Sequence, residues 1–292
     1  MFDTITMPSA AKTLQLYGLD KVHGPTKKLC DRSEAFVKSH GCPGMLIGAF
    51  GWVPIKFDLA QLGAYLSSKL AARGVGDLLS DAIGYTIACV HPSIMSLAVK
   101  KLVGVKDSGI GIPRYLEAAA VAEIPALLVF ITTFSAVVHS GVSPLVSMGR
   151  AVCAAVASTL LASSIWPFVF APYWAKYVRA ESSASVFDAL KEFGRGWVSG
   201  ITPWKRKTTE TAYEEAGAIT GTGFFIFVIP WCIVRTISAA SVALVGTSQE
   251  DFSRTFFSAM AGLEWLGVLL SSVELSIVEG IIKRRNGEAS PP

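Results

Sequence analysis

Several ionisable side chains interrupt the apolar stretches of this sequence, and they are the first candidates for chemistry. They are Lys56, Asp58, His91, Glu123, Glu264 and Glu274. A charged group inside a hydrocarbon layer is energetically costly, so it usually pairs, carries a proton or lines the path of a solute or ion. We expect these residues to make buried polar contacts, either within the chain, with a partner subunit or along a transport path.

The sequence contains no pattern of a known catalytic centre. It has no HExxH or GxSxG motif, and the turn at 108–111 lacks the lysine of a phosphate-binding loop. Its cysteines form no CxxC pair, and His23, Cys30, His40 and Cys42 match no zinc spacing. We therefore predict no enzymatic activity, no metal and no cofactor, with bound lipids as the only expected small molecules.

Long uncharged runs determine the elements that would position these residues. Residues 151–175 and 216–234 carry no charged side chain, and 124–149 carry only His139. A helix of about 25 residues is about 37 Å long, enough to cross a hydrocarbon core of about 30 Å. Charged residues are 16% of the chain, against about 25% in soluble domains. The chain is therefore predicted to be all-α with a lipid bilayer as its partner, and its net charge of +4 does not favour nucleic acid.

The pattern predicts a polytopic membrane bundle of about six transmembrane helices. Their approximate bounds are 44–62, 82–99, 115–138, 151–174, 216–234 and 256–282. Residues 1–42 would form a basic polar head, 43–285 the membrane domain and 286–292 a flexible tail.

The lysines and arginines are distributed as expected for six spans that cross the membrane in alternating directions. Twenty fall on the side of both termini, and six fall on the other side: Lys56, Lys69, Arg73, Arg150, Arg235 and Arg254. Because short loops rich in Lys and Arg stay in the cytosol or matrix, both termini are expected there.

The loop at 176–215 is expected to lie outside the membrane and to contain a helix of its own. Apolar residues at 186, 187, 190, 193 and 197 recur at spacings of three and four. Such an amphipathic helix would lie in the headgroup plane, or pack on the bundle or another loop.

Small residues at helical spacing indicate where helices approach closely. Gly44 and Gly48 open the first predicted span, and Gly217 and Gly221 open the fifth. GxxxG pairs allow close backbone contact in lipid. We expect these glycines to pack helices within the bundle, with a dimer face as the alternative.

The segment 172–203 resembles part of a mitochondrial carrier repeat. Pro172 is followed by Lys176 and Arg179, then by the helical segment 187–192 and the Gly-rich segment 194–203. The resemblance implies a six-helix bundle that exchanges small solutes. The sequence departs from the family where Trp174 replaces the acidic residue of the proline motif.

Two functions remain open from the sequence. The first is a non-catalytic accessory or structural subunit of a membrane complex, in contact with other membrane-protein subunits, in the mitochondrial inner membrane. The second is a small-solute transporter related to the mitochondrial carriers, with Lys56, Asp58 and Glu264 lining the path.

Overall fold

The computed structural model describes residues 42–102, 112–181, 185–202 and 211–285, and within these ranges the chain is helical apart from short turns. The helices in chain order are α1 (Cys42–Ala71), α2 (Asp77–Leu102), α3 (Ile112–His139), α4 (Met148–Val178), α5 (Val186–Ile201), α6 (Ala212–Leu244), α7 (Gln249–Gly262) and α8 (Glu264–Arg285). The predicted all-α class is confirmed for these ranges. The predicted tail and almost all of the predicted head lie outside them.

Side-chain caps explain where several helices begin. Ser147, Ser185, Thr211 and Ser248 precede α4, α5, α6 and α7, and each side-chain oxygen accepts a hydrogen bond from the backbone N–H three residues later. These bonds satisfy donors that a helix start leaves without an intrahelical partner.

Six helical legs run in alternating directions: α1, α2, α3, α4, α6 and the pair α7–α8. Arg150 Nη1 at the start of α4 donates to the carbonyl of Val138 near the end of α3, at 3.1 Å. Gln249 Nε2 at the start of α7 lies 3.1 Å from Nδ1 of His139. We call this end of the bundle the short-turn end. The opposite end, where α4 ends and where α5 and α6 begin, is the long-loop end.

Three of these helices are long and apolar enough to cross a membrane: Ala118–His139 of α3, α4 and α6. The pair α7–α8 qualifies as a fourth if its two parts, bent by 49°, count as one span. The predicted number of six spans is therefore not confirmed.

The fifth predicted span lies within a longer helix. Its sequence bounds end at Val234, but α6 continues to Leu244. Its middle is the π-helical segment Phe224–Val228, which directly precedes the α-helical turn containing Pro230. Arg235, which the sequence analysis counts among the basic residues on the side opposite both termini, therefore lies inside α6.

Aromatic rings fill the interior between α2, α3 and α7. They are at most 4% exposed, and they are Tyr85, Phe130, Phe134, Phe252, Phe256 and Phe257. The closest rings are those of Phe134 and Phe256, with centroids 4.1 Å apart. Buried alanines of α1, α4 and α6 surround the cluster, so all six legs contribute to one core.

Candidate functional site: polar contacts within the helix bundle

The most connected polar group in the described chain is Asp81, near the start of α2. Its Oδ1 accepts a hydrogen bond from Ser67 at 2.7 Å, and its Oδ2 accepts from Ser135 at 2.9 Å and Ser253 at 3.0 Å. Nε2 of His139 lies 3.7 Å from Oδ2. These five residues, which we call the Asp81 hub, come from α1, α2, α3 and α7. One carboxylate thus joins four helices.

The surroundings of Asp81 favour its ionised form. The residue just precedes the predicted membrane segment 82–99, and its side chain is 13% exposed. Burial raises the pKa of the carboxyl, but the adjacent imidazole of His139 and the hydrogen bonds from Ser67, Ser135 and Ser253 outweigh it and hold the pKa below its usual value. Because Gln249 Nε2 approaches Nδ1 of His139, the imidazole proton is assigned to Nε2, facing Asp81.

Lys56 and Glu264 are the two predicted site residues that the structure brings together. Lys56 Nζ lies 3.9 Å from Glu264 Oε1, and the rings of Phe50 and Trp265 stack beside them with centroids 5.9 Å apart. Both contacts join α1 to the start of α8. The lysine side chain is 41% exposed, and a pair of this kind contributes at most about 1 kcal/mol.

The remaining predicted residues do not extend this pair into one site. Asp58 and Glu123 are exposed. Glu274 has a buried Oε2 for which the described part of the chain offers no hydrogen-bond partner. The backbone of His91 is part of α2, but its side chain is not among the parts of the chain that the structure describes.

Arg235 is a second polar residue that the sequence analysis missed as a site candidate. Its Nη1 donates to Thr159 Oγ1 of α4 at 3.3 Å, and its guanidinium carbon lies 4.1 Å from the ring centroid of Phe130. A cation over an aromatic face is stabilised by about 0.5–2 kcal/mol. Its Nε is buried, and no described residue accepts its proton. The carboxylate of Glu123 also acts on the guanidinium electrostatically, but Nε is left without an acceptor among the described residues, so the compensation is incomplete.

This incomplete compensation leads to a prediction for Arg235→Met. Methionine has a comparable length and requires no hydrogen bonds, so the variant should unfold at the same temperature as the wild type or higher. Arg235→Ala should unfold at a lower temperature, because it leaves a cavity against Phe130 and Thr159. Thermal melts of the detergent-solubilised variants measure this difference. Equal losses for Met and Ala would show instead that the charge itself stabilises the fold.

Two GxxxG pairs make the close contact between α5 and α6. A Cβ atom on Gly196, Gly200, Gly217 or Gly221 would meet backbone atoms of the facing helix, those of Glu214, Ala218, Phe193 and Trp197 respectively. Thr222 Oγ1 also donates to the carbonyl of Gly200 at 3.2 Å. The structure thus places Gly217 and Gly221 against another helix of the same chain. Gly44 and Gly48 lie in the first turns of α1, and their surroundings are outside the described residues.

The contact between α5 and α6 is parallel. Gly196 faces Glu214 and Gly200 faces Ala218, so the contacts advance in the same direction along both helices. Parallel helices with facing GxxxG pairs are a typical close packing of membrane helices.

This packing predicts different results for two glycines of the region. Gly217→Ala should lower the free energy of unfolding by about 1–3 kcal/mol, because its methyl group meets the backbone carbonyl of Phe193. Gly194→Ala is the matched control, since a Cβ at Gly194 meets nothing within 4 Å, and alanine favours the helix. Denaturant titration in detergent micelles compares them. A control variant as unstable as Gly217→Ala would contradict the packing.

A polar belt marks the long-loop end beside this contact. Glu215 Oε2 accepts a hydrogen bond from Trp174 Nε1 and lies 3.2 Å from Arg179 Nε. Nearby, Lys176 Nζ lies 5.0 Å from the ring centroid of the exposed Tyr177. Tyrosine, tryptophan and basic residues are typical of the headgroup level of membrane proteins.

Within the described ranges, no three or more His, Cys, Asp or Glu side chains are grouped so that they could hold a metal ion. Comparison of the chain with family models, curated proteins and solved structures finds no match. The candidate site is therefore defined by this chain alone: the Asp81 hub, the Lys56–Glu264 pair and Arg235.

Proposed function

We propose that this chain is an integral membrane protein and a non-catalytic accessory or structural subunit of a membrane complex. The observation that carries the proposal is the aromatic cluster between α2, α3 and α7, whose side chains are at most 4% exposed and fill the interior between these helices. A bundle closed in this way is suited to packing against other subunits.

The proposed membrane location is supported by the apolar side chains on the outer surface of the bundle as well as by the length of the helices. Large apolar side chains on the membrane-length helices face outward: Leu128 on α3, Leu160, Leu161 and Phe168 on α4, and Phe225, Phe227, Ile233 and Ile237 on α6. Exposed apolar surface of this extent is typical of lipid or subunit contact. We propose that all six legs cross the bilayer, since α2 packs on α3, α1 packs on α2, and successive legs alternate in direction.

We further propose the mitochondrial inner membrane as the location. The support for it is the resemblance of 172–203 to a carrier repeat. Imaging of the full chain with a fluorescent tag in its native cell, against a marker of that membrane, tests this assignment. Signal confined to another membrane would overturn the location but not the role as a subunit.

Native electrophoresis tests the role. The tagged full-length protein, extracted from its native membrane in mild detergent, should co-migrate with a large complex, and its partners should be recovered on the same affinity resin. Migration only at the mass of the free chain would contradict the proposal.

The alternative is a small-solute transporter, and Arg235 is the observation that favours it. Its buried Nε lacks a partner among the described residues, so it could bind an anionic solute that reaches α6. Uptake of radiolabelled phosphate, carboxylates and nucleotides into proteoliposomes tests this function. Uptake that Arg235→Met abolishes would favour transport; uptake indistinguishable from protein-free liposomes would exclude it for those solutes.

A further inference from the structure

The depth of α5 follows from its register on α6. Glu215 belongs to the polar belt of the long-loop end, where it contacts Trp174 and Arg179. From the level of Glu215, the contacts between α5 and α6 continue towards the middle of α6. Thr222 contacts Gly200, and the ring centroids of Trp197 and Phe224 lie 6.1 Å apart. From Glu215 to Phe224 a helix advances about 13 Å. The second half of α5 therefore lies at the depth of α6 residues that would be in hydrocarbon.

Only part of the apolar surface of α5 is covered by α6. Gly196 and Gly200 are buried against it, and Phe193 packs on the adjoining core. On the neighbouring face the side chains are uncovered: Val186 is 79%, Phe187 77%, Leu190 53% and Val198 56% exposed. At about 100° per residue, Asp188, Glu192 and Arg195 lie away from this face, whereas Lys191 borders it beside Phe187 and Val198.

We propose that α5 is a half-span in the leaflet at the long-loop end: the uncovered apolar side chain of Val198 in its second half contacts acyl chains, while its first half, with Phe187 and Asp188, lies at or outside the headgroups. This inference rests on the proposed membrane location. The occupant is lipid because the uncovered face belongs to a helix packed in parallel on α6, whose own outward side chains Phe225 and Phe227 are exposed in the same region. The surface is thus continuous with the lipid-facing surface of α6.

Single nitroxide labels test the insertion in the full-length protein. Cysteines at Val198, Phe187 and Asp188 are introduced one at a time into a variant without native cysteines, and each is labelled and reconstituted into nanodiscs of phosphatidylcholine and phosphatidylglycerol. All three side chains are exposed, so the labels should leave the packing intact. The ratio of oxygen to nickel-chelate accessibility should be severalfold higher at Val198 than at Asp188, with Phe187 between them.

A label at Phe227 of α6 separates the two ways in which this result can fail. A lipid-type ratio at Phe227 with a water-type ratio at Val198 would overturn the insertion of α5 alone. Low accessibility to both reagents at Val198 would mean that protein, such as a second copy of the chain, covers the face, and would also overturn it. A water-type ratio at Phe227 as well would overturn the proposed membrane location.

Discussion

Replacing Asp81 with alanine is expected to destabilise this protein more than any other removal of a polar side chain. The substitution leaves the hydroxyls of Ser67, Ser135 and Ser253 without their acceptor, and removes the carboxylate that the Nε2–H of His139 faces. A buried polar group that loses its partner costs about 1–3 kcal/mol, and losses within one hydrogen-bond network are not additive. We expect a loss of about 3 kcal/mol, seen as a decrease in Tm of about 5–10 °C in detergent.

Two further variants identify the cause of that loss. Asp81→Asn keeps the shape and one acceptor oxygen, so its Tm should fall between those of the wild type and Asp81→Ala. Asp58→Ala is the matched control, because Asp58 is an exposed carboxylate on the neighbouring helix α1. If Asp81→Ala melts at the same temperature as Asp58→Ala, the hub does not hold the four helices together.

The second large effect is expected for Phe134→Ala. The ring of Phe134 is fully buried, and its centroid lies 4.1 Å from that of Phe256, 5.9 Å from Phe130 and 6.1 Å from Phe252. In a bilayer the unfolded helix also has an apolar solvent, so less hydrophobic transfer energy is lost than in water. The dispersion contacts around the empty volume are still lost. We expect a cost of about 3 kcal/mol, at the lower end of the range for this substitution.

The exposed Phe168 on α4 provides the control for this substitution. Its side chain is 66% exposed, so Phe168→Ala should change the Tm little. Thermal melts followed by tryptophan fluorescence compare the two variants in the same detergent. A Tm for Phe134→Ala equal to that of Phe168→Ala would mean that the interior is not closed by the aromatic cluster, and would remove the main support for an accessory role over a transporter.

The sequence predicted the helical class and the position of α5 because both depend on local patterns. Uncharged runs identify α3, α4 and α6, and the three-and-four spacing from Val186 identifies the helix Val186–Ile201. A second local pattern marks the starts of α5, α6 and α7: a serine or threonine is followed three residues later by an acidic residue. This signal, at Ser185, Thr211 and Ser248, could have located those helix starts from the sequence.

The Asp81 hub could not be predicted in the same way. Ser67, Ser135 and Ser253 lie 14, 54 and 172 positions from Asp81, and serine is common enough that no spacing points to the carboxylate. Arg235 was missed for a different reason. A charge at the end of an apolar run normally marks a membrane boundary, whereas Thr159 and Phe130 on other helices compensate this one inside the bundle.

Extraction of native membranes at alkaline pH tests the central claim most directly. Sodium carbonate releases proteins bound only to the membrane surface, while helices that cross the hydrocarbon core remain with the lipid. If the helices cross the bilayer, the full-length chain stays in the pellet after ultracentrifugation and enters the supernatant only with detergent. Recovery in the carbonate supernatant would contradict the membrane location, the role as a membrane subunit and the insertion of α5.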